Sequence, residues 1–104
     1  MSMDWIEIGS LSEIPRLGAR VVQAGKVPVA LFRTADDQVF AMHDRCPHKQ
    51  GPLSEGIVHG RQVTCPLHNW VIDLQSGEAA APDHGAAACF AAKVENGTVW
   101  LKHP

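Results

Sequence analysis

Two short segments constrain this chain more than any other feature: Cys46-Pro47-His48 and Cys65-Pro66-Leu67-His68. Each places one thiol and one imidazole within four residues, and sixteen residues, Lys49 to Thr64, lie between them. If the four side chains act together, the chain must bring the second segment back to the first. The intervening residues offer a way. Ile57-Val58 and Gln62-Val63-Thr64 flank His59-Gly60, which reads as a hairpin whose ends return both segments to one end of a sheet.

The rest of the chain has the same texture. Trp5-Ile6-Glu7-Ile8 alternates at period two, as a half-buried strand does. Ala19 to Gln23 is a short β-rich run closed by Gly25. Val29 to Thr34 and Val39 to Met42 read as a hairpin around Ala35-Asp36-Asp37-Gln38, and Trp70 to Leu74 as a strand ending at Ser76-Gly77. Ala91 to Glu95 and Thr98 to Lys102 flank Asn96-Gly97, whose residues tolerate positive φ at both turn positions. Eight or so strands at this spacing predict an all-β domain, a small sandwich or barrel. Helical signal is confined to one turn, Leu11 to Ile14, with Ser10 or Ser12 as its cap and Pro15 after it.

Composition limits the function classes. A chain of 104 residues, 45% hydrophobic and 19% charged, fits one globular domain. A formal charge of −2 gives nucleic acid no broad electrostatic handle. No apolar run is long enough to span a bilayer, so no membrane association is expected. The start, Met1-Ser2-Met3-Asp4-Trp5, lacks a basic region followed by an apolar stretch, and a cytoplasmic location is the expectation. Three cysteines do not make a closed disulfide framework. In a reducing compartment, paired Cys and His read better as metal ligands.

The spacing favours one kind of metal site. Structural zinc takes its ligands from Cys-x₂₋₄-Cys and His-x₃₋₅-His pairs. Here each segment mixes the two types, which suits a binuclear iron cluster with sulfur on one iron and nitrogen on the other. Cys46-Pro47-His48, Gly51, Leu53-Ser54-Glu55-Gly56, Cys65-Pro66-Leu67-His68-Asn69-Trp70 and Asp73-Leu74-Gln75-Ser76-Gly77-Glu78 together resemble the Rieske domain signature. The resemblance implies a single Rieske domain over residues 1–104, with cluster loops around 43–54 and 63–72. It implies a [2Fe–2S] cluster, with Cys46 and Cys65 on the inner iron and His48 and His68 on the outer iron. It implies outer-sphere transfer of one electron, with no catalytic residue in this chain. Pro47, Gly51, Pro52, Leu53, Pro66, Leu67 and Trp70 are the candidates for lining or shielding the cluster.

Finer wording resembles one subfamily. His48 to Val58 and Pro66-Leu67-His68-Asn69-Trp70-Val71-Ile72 look like the small subunit of assimilatory NAD(P)H-dependent nitrite reductase. The partner so implied is a large subunit carrying flavin, sirohaem and an iron–sulfur centre. The competing reading is a free Rieske ferredoxin that serves a ring-hydroxylating dioxygenase; such ferredoxins more often have Trp at Leu67 and Gly at Asn69. A zinc-stapled binding module is the third. Respiratory-chain Rieske proteins carry a disulfide between positions held here by Gly51 and Leu67, and hydroxyl donors at positions held by Trp70 and Ile72. Lacking those donors, the cluster is expected near the low end of the Rieske range, about −150 mV.

The remaining candidates read as structural. Cys89 in Ala88-Cys89-Phe90 is expected as a buried thiol. His43 is either a neighbour of the centre or a surface residue at a hairpin end. His59 reads as a turn residue, His84 as a loop residue, and His103 as part of the tail. Trp5 and Trp100 read as core or sheet-face residues.

Overall fold

The computed structural model describes residues 5–46, 52–66, 69–80 and 85–102. Its strands are β1 (Trp5–Ser10), β2 (Gly18–Ala24), β3 (Val27–Arg33), β4 (Val39–His43), β5 (Ile57–His59), β6 (Gln62–Thr64), β7 (Val71–Asp73), β8 (Cys89–Phe90), β9 (Ala92–Glu95) and β10 (Thr98–Lys102). They form three antiparallel sheets in the orders β1-β10-β9, β2-β3-β4-β8 and β5-β6-β7. Two single 3₁₀ turns, Leu11–Glu13 and Leu53–Glu55, are the helical content of the described residues. No helix among them is long and apolar enough to cross a membrane.

The predicted hairpins form. Val29 pairs with His43 and Phe32 with Phe40 across β3 and β4. Ile57 pairs with Thr64 and His59 with Gln62 across β5 and β6. At the β9–β10 turn, Asn96 has φ 53° and Gly97 φ 77°, the positive values that this dipeptide tolerates. Two elements escape sequence reading: the two-residue β8, and the 3₁₀ turn at Leu53. Both are shorter than any periodicity can register.

The middle sheet divides the interior. From β3, Val29 and Leu31 join one buried cluster with Ile14, Val39, Ala41, Val99 and Leu101. Ala30 and Phe32 join a second, with Met42, Leu53, Val58, Val63, Ile72 and Leu74. Side chains alternate along a strand, so β3 is buried on both faces. That is why it reads as a continuous apolar run and not as an alternating one. The sandwich is thus a stack of three layers, and its third layer, β5-β6-β7, connects the segments that contain the Cys and His residues.

Candidate metal centre

Each Cys-bearing loop is an excursion from a strand end. The first leaves β4 at His43. The Asp44 amide donates to the Pro28 carbonyl at 2.9 Å, and the Arg45 amide to the His43 carbonyl at 2.7 Å. The chain then turns inward at Cys46, which is 0% exposed. It returns at the second 3₁₀ turn, where Leu53 is also 0% exposed. The turn closes through the Gly56 amide, which donates to the Leu53 carbonyl at 2.9 Å. Gly56 is required by close approach: a Cβ there would run into the Thr64 carbonyl and lie 2.9 Å from a Val63 methyl. Thr64 immediately precedes Cys65, so the missing side chain lets the two loops' strands lie against each other.

The second loop joins β6 to β7. The Cys65 amide donates to the Trp70 carbonyl at 2.7 Å, closing the loop at its neck. Asn69 adopts φ 58°. Left-handed backbone is met by Gly or, among side-chain-bearing residues, by Asn and Asp with least strain. Gly and Asn therefore answer the same local demand, and Asn69 separates the two subfamilies less than its identity suggests. Beyond β7, Asp73 Oδ1 accepts from the Gln75 and Ser76 amides at 2.8 and 2.9 Å. That is the physical content of the Asp73-to-Gly77 motif: a carboxylate-stabilised turn.

Cys46 and Cys65, 19 residues apart in sequence, lie in one apolar cluster and are each 0% exposed. Trp70 packs partly buried against that cluster, and Leu53 is inside it. Pro52 and Pro66 are exposed and stand outside this buried cluster. Pro47, His48, Gly51, Leu67 and His68 lie outside the described residues, as do His84 and His103. Among the described residues no three His, Cys, Asp or Glu side chains form a metal-binding group. Of the predicted donor set, the two thiols are the members that lie among the described residues. Two thiols in one apolar cluster are soft sulfur donors of the kind an iron–sulfur centre takes, and their surroundings exclude water.

The other candidates resolve individually. Cys89 is exposed, not buried as its apolar neighbours predict. It lies on β8, which pairs with β4 at the end of its sheet, so one side of the strand has no strand partner among the described residues. Its sulfur nevertheless leans over Gly77, and local burial, then the charge of Asp73, raise its thiol pKa. His59 is exposed and its Nε2 sits 2.7 Å from Thr64 Oγ1. His43 ends β4 with its amide donating to the Ala88 carbonyl at 2.8 Å. Trp5 and Trp100 are half-buried, and Lys93 Nζ lies 4.3 Å from the Trp5 ring centre. Sequence reasoning missed Asp44 and Ser54. The available signal was the recurrence of Leu-Ser-Glu at 11–13 and 53–55, the second without a capping residue before it.

A family model described as Rieske [2Fe–2S] domain matches residues 4–91. The anthranilate 1,2-dioxygenase ferredoxin subunit of Burkholderia cepacia is 40% identical over 74 residues, covering 71% of this chain and 68% of that protein. A solved complex of reduced oxygenase and oxidized ferredoxin in carbazole 1,9a-dioxygenase matches with TM-score 0.83 and 28% identity, over 96% of this chain and 94% of that one. A Mycobacterium tuberculosis structure described as an NADH-dependent nitrite reductase small subunit matches with TM-score 0.83 and 23% identity, over 93% and 92% of the two chains.

Proposed function

The chain belongs to the Rieske [2Fe–2S] domain family, and we propose that within it the protein is a ferredoxin that passes single electrons to an oxygenase. What carries this reading is sequence identity with a dioxygenase ferredoxin subunit over most of both chains, at 40%. Likeness to the nitrite reductase small subunit, at 23%, extends to the fold alone. The left-handed backbone at Asn69 is one that Gly also adopts, so Asn69 is compatible with a ferredoxin.

A Rieske cluster, when bound, supplies reversible one-electron chemistry. The residues that would hold it are Cys46 and Cys65, joined by His48 and His68. This chain's own contribution is to bury and stiffen. Cys46 and Cys65 are withdrawn from water among Leu53, Val58, Val63 and Ile72. Trp70 covers part of the same cluster, which limits solvent access and lowers the local dielectric. The neck bond from Cys65 to Trp70 fixes where the second loop leaves the sheet. A rigid, preorganised frame changes little between two charge states, which is what an electron carrier needs.

A second reading, the small subunit of an NAD(P)H-dependent nitrite reductase, is favoured by the wording of His48 to Val58 and by Leu67. One experiment separates the two. The reduced holoprotein is mixed with a terminal dioxygenase component, or with a nitrite reductase large subunit, and its reoxidation is followed optically. Rapid reoxidation by the oxygenase alone is expected; rapid reoxidation by the large subunit alone would overturn the ferredoxin reading. EPR of the dithionite-reduced protein tests the ligand set, because a His-ligated cluster differs from an all-Cys one and zinc is silent.

A further inference from the structure

We propose that Asp44 is a positioning residue for the cluster, fastening together the two ends of the first ligand-bearing loop through Ser54. The inference rests on the reading that Cys46 and His48 are ligands. Asp44 Oδ1 accepts from the Ser54 amide at 2.7 Å and Oδ2 from the Ser54 hydroxyl at 2.9 Å. The two bonds together hold the Ser54 amide and hydroxyl on one carboxyl group. Both are partly buried, which limits competition from water. Asp44 is itself anchored, since its amide donates to the Pro28 carbonyl of β3.

The 3₁₀ turn that receives this carboxylate lacks a cap of its own. Pro52 stands at the N-cap position and makes no side-chain cap hydrogen bond. The acceptor instead comes from ten residues upstream. Between Asp44 and Ser54 lie Cys46 and Leu53, both 0% exposed and both in the cluster that holds Cys65. The neck thus sets the separation of the loop's two buried anchors. Ligand geometry tolerates displacements of about 0.5 Å, so loosening the neck reaches the cluster without touching a ligand.

The test uses the holoprotein and the variants Asp44→Ala, Asp44→Asn and Ser54→Ala. Ser10→Ala is the control, because it removes the equivalent cap from the first Leu-Ser-Glu turn. Iron per chain, the rate of visible bleaching under an iron chelator, and the EPR spectrum of the reduced protein are read alongside the thermal midpoint. Asp44→Ala is expected to lose its cluster about 10-fold faster and to broaden the EPR lines. Asp44→Asn, which keeps an acceptor for the Ser54 amide, restores part of the loss, and Ser54→Ala falls between. Ser10→Ala lowers the thermal midpoint while leaving release rate and EPR unchanged. Wild-type release and EPR in Asp44→Ala would overturn the proposal. So would equal acceleration by Ser10→Ala, which would mark a general loss of stability. If Asp44→Ala does not fold, Asp44→Asn and Ser54→Ala decide by the same readouts. A parallel His48→Ala variant keeps the two readings apart: an unchanged spectrum there rejects the ligand assignment, whereas a changed one beside an unaffected Asp44→Ala rejects Asp44 alone.

Discussion

Leu11-Ser12-Glu13 and Leu53-Ser54-Glu55 are the same tripeptide in the same 3₁₀ turn, yet the fold holds them by different means. Both close alike, with the Ile14 amide donating to the Leu11 carbonyl at 3.0 Å and the Gly56 amide to the Leu53 carbonyl at 2.9 Å. The first is capped by its neighbour: Ser10 Oγ accepts from the Ser12 amide at 3.2 Å. Its far end is tied by Arg33, which donates to the Leu11 and Ile14 carbonyls at 3.3 and 2.9 Å. The second turn takes its cap from Asp44, across the first Cys-bearing loop. Leu53 is fully buried beside both cysteines, whereas Leu11 is only partly buried at the edge of the other cluster. Local sequence chooses the turn, and its surroundings decide which side chain caps it and how deeply it is buried.

Removing the iron should separate the two turns most sharply. Metal binding free energy is part of folding free energy, and Cys46 and Cys65, the proposed thiolate ligands, share a buried cluster with Leu53 of the second turn. Chelated protein is expected to lose hydrogen-exchange protection at Ser54 and Gly56 by about 10-fold or more, with Ser12 and Ile14 nearly unchanged. Equal loss at both turns would break the contrast. Next comes burial. Leu53→Ala should cost about 2–5 kcal/mol in denaturant unfolding, and Leu11→Ala less than half as much. Similar costs would mean that the two leucines do equivalent work.

The residue after each turn gives a smaller effect. Ile14 follows the first, with room for its side chain in the core, while Gly56 follows the second against Thr64 and Val63. Gly56→Ala should therefore destabilise by about 1–3 kcal/mol through overpacking, measured by the same unfolding curves. The smallest effect concerns pH. Asp37 has its carboxyl held below the ordinary 3.8, first by its hydrogen bond to Arg33 and then by Arg16, against some desolvation. A lowered carboxylate pKa stabilises fully above the ordinary value and is lost as pH falls through the lowered one. Asp37→Asn should thus weaken the protein slightly at neutral pH, with the difference from wild type vanishing in acid below 3.8. Asn suits the left-handed φ of 67° at this position, so the backbone is not the variable. A difference that persists in acid would detach the effect from the carboxylate.

How much was legible follows from range. Asn96-Gly97 and Asp73 to Gly77 act within a few residues and form turns where the sequence predicts them, whereas the predicted His59-Gly60 turn sits one residue later, at Gly60-Arg61, with His59 closing β5 opposite Gln62. The family was legible in the two Cys-bearing segments because residue type and spacing carry metal chemistry directly. Cys89 was misread because its two apolar neighbours, Ala88 and Phe90, suggest a core, while its strand lies at a sheet edge. Pro66 is exposed, and residue type alone does not tell which way a loop faces. Asn69 looked like a subfamily marker until its φ showed a backbone demand that Gly also meets.

By itself, then, the sequence determined the hairpins, the turn chemistry and the family, because those rest on neighbours and on the identity of a few reactive side chains. Tertiary structure alone decided that β3 faces two cores, that Cys46 and Cys65 share one of them, and that Asp44 caps a turn ten residues away. Those outcomes depend on which surfaces meet once the three sheets stack. Two identical tripeptides cannot announce which of them will end buried in the cluster that holds Cys46 and Cys65.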